Sequence, residues 1–175
     1  MIVVMPLGYG DDRVVSRTGP GLGNKRLFSR NMHNSQAQMF TEIMPPVAKH
    51  YPIKTGLAHT AIAGLSMGGG EALMVGLNNL HSFGWVCGLG SYCGTNGPDF
   101  SRVFPHLTSQ DHARIKLLWI ACGRHDPIVL KENRNLDAWL TARDIQFKSI
   151  WTTGGHQWRG WRDNFIHLAP LLFQM

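Results

Sequence analysis

The sequence predicts an α/β fold: a mostly parallel, doubly wound sheet of about five strands with helices on both faces. Short apolar, β-branched runs alternate along the chain with longer stretches whose apolar residues recur every three or four positions. The run at residues 2–5 is continuously apolar and the run at residues 115–122 is strongly apolar, which is typical of parallel strands that are covered on both faces. No repeat or shift in composition divides the 175 residues, so we expect one domain over residues 1–175.

The first third of the chain is predicted to contain one strand, one long loop and one helix. The strand covers residues 2–5, and the Gly-, Arg- and Asn-rich residues 10–33 form the surface loop. Asn34 or Ser35 can cap the helix, which Pro45-Pro46 is expected to kink or restart. The apolar face of this helix comprises Phe40, Ile43, Met44, Val47 and Tyr51.

The rest of the chain alternates strands with helices. Each helix has an apolar stripe that can pack on the sheet. Residues 91–112 are polar and irregular, with room for a short helix. The predicted strands are residues 59–64, 83–89, 115–122 and 147–152, and the predicted helices are residues 69–80, 130–144 and 160–173.

Ser66 lies in a Gly-x-Ser-x-Gly pattern between a predicted strand and a predicted helix. Such a strand–turn–helix places the serine on a strained turn at the carboxyl end of the sheet. Gly64 and Gly68 are expected to leave room for this turn because neither has a Cβ atom. The backbone N–H of Met67, at the start of the helix, is expected to face a developing oxyanion.

Two further polar residues follow strands in the order that a serine nucleophile requires. Asp126 comes after the strand at residues 115–122, and His156 comes after the strand at residues 147–152. A serine hydroxyl needs a base to remove its proton, and the base needs an orienting carboxylate. Ser66, Asp126 and His156 therefore predict acyl transfer. Singly, they also suit a turn serine, a helix cap and a core histidine, but packing does not explain their joint placement at three strand ends.

Other residues near this edge are candidates for binding. Leu65, beside the nucleophile, and Trp158, just after His156, are the predicted substrate contacts. Trp85 and Trp161 are further aromatic candidates, although the helix stripe favours a core position for Trp161.

The composition argues against several classes of function. The net charge is +6, but the basic residues are scattered, so nucleic acid is not a predicted partner. The longest apolar runs are too short to span a bilayer, so no membrane partner is predicted either. No signal peptide is apparent. No His, Cys or Asp cluster has metal-ligand spacing, so no metal or other cofactor is predicted. Cys87 and Cys122 fit buried positions, and a Cys87–Cys93 disulfide stays open, as do compartment and oligomeric state.

Three segments together resemble the esterase D-like, carbohydrate esterase family 1 branch of the α/β-hydrolases. They are residues 61–69, 123–126 and 154–162, and the Gly-Gly-His-x-Trp-x-x-Trp-Arg pattern in the last is the most specific. The branch includes feruloyl esterases, acetyl xylan esterases, enterochelin esterase-like proteins and mycolyltransferases. The resemblance implies an α/β-hydrolase fold and a serine carboxylesterase that hydrolyses acyl esters of carbohydrates, of the feruloyl or acetyl type, in small-molecule or polysaccharide-linked substrates. It implies Ser66 as nucleophile, Asp126 as acid and His156 as base.

The chain departs from this branch at its start. Members have further strands before this point, including one whose His-Gly loop supplies a second oxyanion donor, and residues 3–10 resemble the strand that comes next. Loss of a central strand leaves backbone groups unpaired, which is costly. We therefore expect the chain to be the C-terminal part of a longer esterase. Two kinds of alternative stay open. The first is an acyltransferase or thioester hydrolase of the same fold, and the second is a catalytically silent remnant or binding module.

Overall fold

The structure, a computed structural model, describes residues 1–15, 24–95 and 97–174. The chain divides into two compact units, Met1–Lys54 and Thr55–Met175. In the ranges described, no helix is long and apolar enough to cross a membrane. The single domain predicted over residues 1–175 stays a prediction.

Unit 1 is helical. Pro45 and Pro46 occupy the first turn of the last helix, α3, so the prediction that they restart the helix is confirmed. The segment just before them is a π-helix, which suits a helix interrupted at a proline pair. The elements are α1 (Asp12–Val15), α2 (Lys25–Gln38), the π-helix (Met39–Ile43) and α3 (Met44–His50).

The start of the long helix differs from its prediction. Asn24 caps α2, because its side-chain oxygen accepts a hydrogen bond from the Leu27 N–H at 3.0 Å. Asn34 and Ser35, the predicted caps, lie inside the helix, and the Asn34 amide donates instead to the Gly10 carbonyl at 2.7 Å. The predicted loop over residues 10–33 is therefore partly helical, and its residues 16–23 lie outside the described ranges.

The strand predicted at residues 2–5 is wrong. Residues 1–7 have no strand or helix, and their side chains are exposed. An apolar, β-branched run becomes a strand only when a neighbouring strand pairs with its backbone, and these residues are not among the paired strands. The described residues thus contain four strands, one fewer than predicted.

Unit 2 contains a parallel sheet with strand order β1-β2-β3-β4. Leu65 pairs with Leu89 and Gly123 pairs with Thr152, so the carboxyl ends of neighbouring strands lie level with one another. The predicted α/β class and parallel sheet are confirmed. The strands are β1 (Ala61–Leu65), β2 (Trp85–Leu89), β3 (Leu117–Gly123) and β4 (Lys148–Thr152).

Helices cover both faces of this sheet, as predicted. A Cβ atom on Gly76 of α4 would meet the Val86 methyl groups at 2.7 Å, which places α4 close against one face. Trp161 and Leu168 of α6 pack with the side chains on the other face, including Cys87. The α-helices are α4 (Met67–Asn78), α5 (Leu130–Thr141) and α6 (Trp158–Leu168), and a 3₁₀-helix (Ala169–Leu171) follows α6. A second short 3₁₀-helix (Ser109–Ala113) lies in the segment predicted as irregular.

The sheet interior is apolar and contains unreactive thiols. Every residue of β2 and β3 is buried. Cys87, Cys93 and Cys122, all within the described ranges, are free and buried, so the Cys87–Cys93 disulfide is not formed. Burial raises the pKa of the Cys87 thiol to about 12, which keeps it protonated near neutral pH.

Candidate active site

Ser66 occupies a strained turn between β1 and α4. Its backbone has φ 54° and ψ −121°, a region that non-glycine residues rarely adopt, so the predicted strain is present. The room for the turn comes from Gly64, because a Cβ atom there would lie 2.0 Å from the Gly68 carbonyl oxygen. A Cβ atom on Gly68 would meet nothing within 4 Å. The expectation that the turn needs two residues without a Cβ atom is therefore correct only for Gly64.

His156 lies beside the serine hydroxyl. Its Nε2 atom is 2.8 Å from Ser66 Oγ, although 90 residues separate the two in the chain. His156 follows β4 in the loop before α6, and the level strand ends of the sheet bring this loop to the turn after β1. The edge of the Trp161 ring contacts the imidazole, with ring centroids 5.0 Å apart.

Asp126 completes a hydrogen-bonded relay on the far side of the imidazole. Its Oδ2 atom lies 2.8 Å from His156 Nδ1, and its Oδ1 atom accepts the N–H groups of Ile128 and Val129 at 2.9 and 3.0 Å. The carboxylate is 1% exposed. It is therefore both desolvated and fixed by backbone donors, so Oδ2 can point only at the histidine.

These contacts determine which ring nitrogen carries the proton. An ionised carboxylate only accepts hydrogen bonds, so His156 Nδ1 must donate to Asp126. In a neutral imidazole Nε2 is then the acceptor, and the Ser66 hydroxyl donates to it. The arrangement can remove a proton from Ser66 Oγ and hold the resulting imidazolium beside a negative charge.

Close backbone contacts hold the acid and histidine loops together. A Cβ atom on Gly123 would lie 2.1 Å from the Gly154 carbonyl oxygen, and one on Gly160 would lie 2.6 Å from the Gly155 carbonyl oxygen. The end of β3, the loop before His156 and the first turn of α6 therefore approach at distances that only glycine permits. A Cβ atom on Gly154 would likewise lie 2.8 Å from the Gly160 Cα, so this packing accounts for Gly154 and Gly160 in the Gly-Gly-His segment.

The other predicted site residues lie around this relay. Met67 is the first residue of α4, directly after the nucleophile, and its role as oxyanion donor stays a prediction. Leu65 ends β1 and packs against the core, and Trp158 begins α6 with 75% of its surface exposed. Trp161 packs on the core as predicted and also contacts Trp158 edge-on at 5.8 Å. Trp85 is a buried core residue.

Sequence reasoning missed Asn133, a buried amide that contacts the segment behind Ser66. It lies on α5 and is 1% exposed. A signal was present, because Val129, Asn133, Leu136 and Leu140 form one buried stripe in which asparagine is the only polar residue. A polar residue at a core position of a helix indicates a specific hydrogen bond.

A family model described as "Putative esterase" matches residues 1–172 of the chain. Two solved structures of the ferulic acid esterase from Anaeromyces mucronatus are similar to it. The complex with ferulic acid has a TM-score of 0.68 and 22% sequence identity, and the match covers 85% of this chain and 59% of the esterase chain. The substrate-free form has a TM-score of 0.65 and 26% identity, covering 82% of this chain and 55% of its own.

An S-formylglutathione hydrolase from Staphylococcus aureus is also similar, with a TM-score of 0.62 and 18% sequence identity. The match covers 82% of this chain and 65% of the hydrolase chain. The likenesses below 25% identity show a shared fold. The chain spans less than two thirds of the length of each of these solved structures.

Proposed function

This chain belongs to the esterase family, and we propose that it is a serine ester hydrolase that works through an acyl-enzyme on Ser66. The observation that carries the proposal is the continuous relay from Ser66 Oγ through His156 to Asp126, in which both links are 2.8 Å long. A turn serine and a packed histidine do not require such a relay, whereas nucleophilic attack by a serine does.

In the first half-reaction, His156 Nε2 takes the hydroxyl proton as Ser66 Oγ attacks the ester carbonyl carbon. The carbonyl π electrons move to oxygen, and the backbone N–H of Met67 is the proposed donor to that oxyanion. The tetrahedral intermediate collapses, the bond to the leaving alcohol breaks, and His156 gives that alcohol its proton. Asp126 holds the imidazolium in place while the charge is present.

In the second half-reaction, water takes the place of the alcohol. His156 Nε2 accepts a proton from water as the water oxygen attacks the acyl carbonyl carbon. Collapse of the second intermediate breaks the bond to Ser66 Oγ, which regains its proton from His156. The products are a carboxylic acid, an alcohol and the original enzyme.

For the substrate we propose feruloyl or acetyl esters of carbohydrates. Two similar structures are ferulic acid esterases, and one contains ferulic acid. Trp158 supports the same class, because its exposed ring stands edge-on to Trp161, which in turn contacts His156. A flat aromatic surface beside the base suits a phenolic acyl group or a sugar ring.

A thioester hydrolase is the second candidate, favoured by the similarity to the S-formylglutathione hydrolase. The same relay would serve both reactions, because Ser66 Oγ attacks a carbonyl carbon in each, and the tetrahedral intermediate then loses a thiol in one reaction and an alcohol in the other. Relative kcat/KM values for methyl ferulate, an acetylated xylan oligosaccharide and an acyl glutathione thioester separate the two candidates. An acyltransferase would instead show faster turnover when an alcohol acceptor is added.

Hydrolysis of p-nitrophenyl acetate by the wild type and by Ser66→Ala tests the proposal. We expect the wild type to turn over and the variant to lose nearly all activity. Covalent labelling by a fluorophosphonate should mark Ser66 and no other residue. Equal rates for both proteins would instead identify a silent remnant or binding module.

A further inference from the structure

The segment that leaves β2, residues 89–92, holds the peptide of the proposed nucleophile from both sides. The Ser66 N–H donates to the Leu89 carbonyl at 3.0 Å, and the Tyr92 N–H donates to the Ser66 carbonyl at 2.9 Å. The backbone of Ser66 has φ 54°, so its conformation depends on contacts of this kind. A shift of residues 89–92 therefore shifts the nucleophile.

Asn133, which lies on α5, holds residues 89–92, here called the exit segment, in place. Its Oδ1 atom accepts the Ser91 N–H at 3.3 Å, and its Nδ2 group donates to the Ser91 carbonyl at 2.8 Å. The same Nδ2 group donates to the Val129 carbonyl at 2.9 Å. The amide thus uses its acceptor and both donors in a position that is 1% exposed.

Val129 connects this amide to the proposed acid. The Val129 N–H donates to Asp126 Oδ1 at 3.0 Å, and its carbonyl accepts from Asn133. Asn133 therefore contacts the peptide of Ser91, behind the nucleophile, and the peptide of Val129, which orients Asp126. Asn133 therefore connects, through buried hydrogen bonds, the backbone that holds Ser66 and the backbone that orients Asp126.

We infer that Asn133 is a positioning residue for acyl transfer: it sets the separation between Ser66 and the His156–Asp126 pair without touching the substrate. This inference rests on the proposed esterase function. The contacts it maintains, at 2.8 Å on each side of His156, lie within the range that proton transfer requires. A misplacement of about 1 Å in such a site costs on the order of 100-fold in rate.

Asn133→Leu removes all three hydrogen bonds with little change in volume. We expect kcat for p-nitrophenyl acetate to fall about 100-fold and KM to change by less than about threefold, because Asn133 makes no substrate contact. Asn78→Leu is the control, in which the same substitution removes a half-buried amide elsewhere in the unit. That amide donates to the Val103 carbonyl at 2.8 Å, at the end of α4 remote from Ser66, so we expect wild-type kcat. Equal kcat values for the two variants would overturn the inference.

Asn133→Asp separates hydrogen bonding from packing. The new carboxylate keeps the shape but faces the Ser91 and Val129 carbonyls without a proton to donate. Protonation at lower pH restores one donor. We therefore expect kcat of N133D, relative to wild type at the same pH, to rise as pH falls, and that of N133L to stay constant. A pH-independent ratio for N133D contradicts the inference and remains measurable if N133L fails to fold.

Hydrogen exchange tests the inference with a measurement that does not depend on catalytic turnover. The amide of Tyr92 should exchange faster in N133L than in wild type or N78L, because the exit segment loses its anchor. Unchanged exchange at Tyr92 overturns the inference even if the chain has no esterase activity. Wild-type turnover equal to that of Ser66→Ala, with altered exchange in N133L, would instead refute the proposed function and leave the anchoring intact.

Discussion

Adding one methyl group at Gly64 tests how the turn between β1 and α4 holds Ser66. The Cβ atom of Gly64→Ala would lie 2.0 Å from the oxygen and 2.3 Å from the carbon of the Gly68 carbonyl. Both are backbone atoms in the first turn of α4, so the overlap can be relieved only by moving β1 or α4. Restoring ordinary van der Waals separation requires a displacement of about 1.4 Å between the strand and the helix that meet at Ser66.

A displacement of this size separates Ser66 Oγ from His156 beyond hydrogen-bond reach. We expect kcat/KM for p-nitrophenyl acetate to fall at least about 100-fold, and the free energy of unfolding to fall by about 1–3 kcal/mol. The assays are steady-state kinetics, the rate of fluorophosphonate labelling and unfolding in urea.

Gly68→Ala is the control for the added methyl group, because its Cβ atom would meet nothing within 4 Å. It replaces glycine by alanine inside a helix, so we expect the free energy of unfolding to stay constant or rise by up to about 1 kcal/mol. If G64A unfolds like the wild type and is labelled within about threefold of the wild-type rate, the turn at Ser66 does not depend on the missing Cβ atom of Gly64.

Three further variants test separate parts of the site. Asp126→Asn presents an amide that can force the wrong imidazole tautomer, so kcat should fall by about 10⁴-fold; a fall below about tenfold in steady-state kinetics contradicts the assigned role. Trp158→Ala, at an exposed position, should change the free energy of unfolding by less than about 0.5 kcal/mol and raise KM for aryl esters more than for acetates. Burial raises the pKa of Glu132 above its usual 4.5, so its ionisation lowers stability as pH rises through the folded-state pKa. Glu132→Gln keeps the acceptor oxygen without the charge, and its gain in Tm over wild type should be larger at pH 8 than at pH 4; a gain that does not depend on pH argues against a desolvated carboxylate.

The relay could be predicted from the sequence because a parallel sheet leaves few places for its residues. Ser66, Asp126 and His156 each follow a strand, and parallel strands end at one edge. Chain order and strand ends were therefore enough to expect the three side chains at one edge of the sheet. The atomic contacts that join them are findings of the structure.

Other features depend on what lies next to a residue in space. Residues 2–5 have the composition of a strand, but strand formation needs a paired neighbour, which local sequence does not reveal. Gly64 and Gly68 look equivalent in the pattern, yet only one of them faces a carbonyl at 2.0 Å. Asn133 stands 42 residues from the Ser91 peptide that it binds, so no local pattern identifies its partner.

Trapping the acyl-enzyme shows directly whether Ser66 carries the acyl group. Wild type, Ser66→Ala and His156→Ala are mixed with p-nitrophenyl acetate, quenched in acid within the first turnover, and digested for peptide mass spectrometry. We expect one acetyl group on Ser66 in the wild type and none on that peptide in either variant. An acetyl group on another residue, or a Ser66 adduct that forms equally fast without His156, would rule out the proposed acyl-enzyme mechanism.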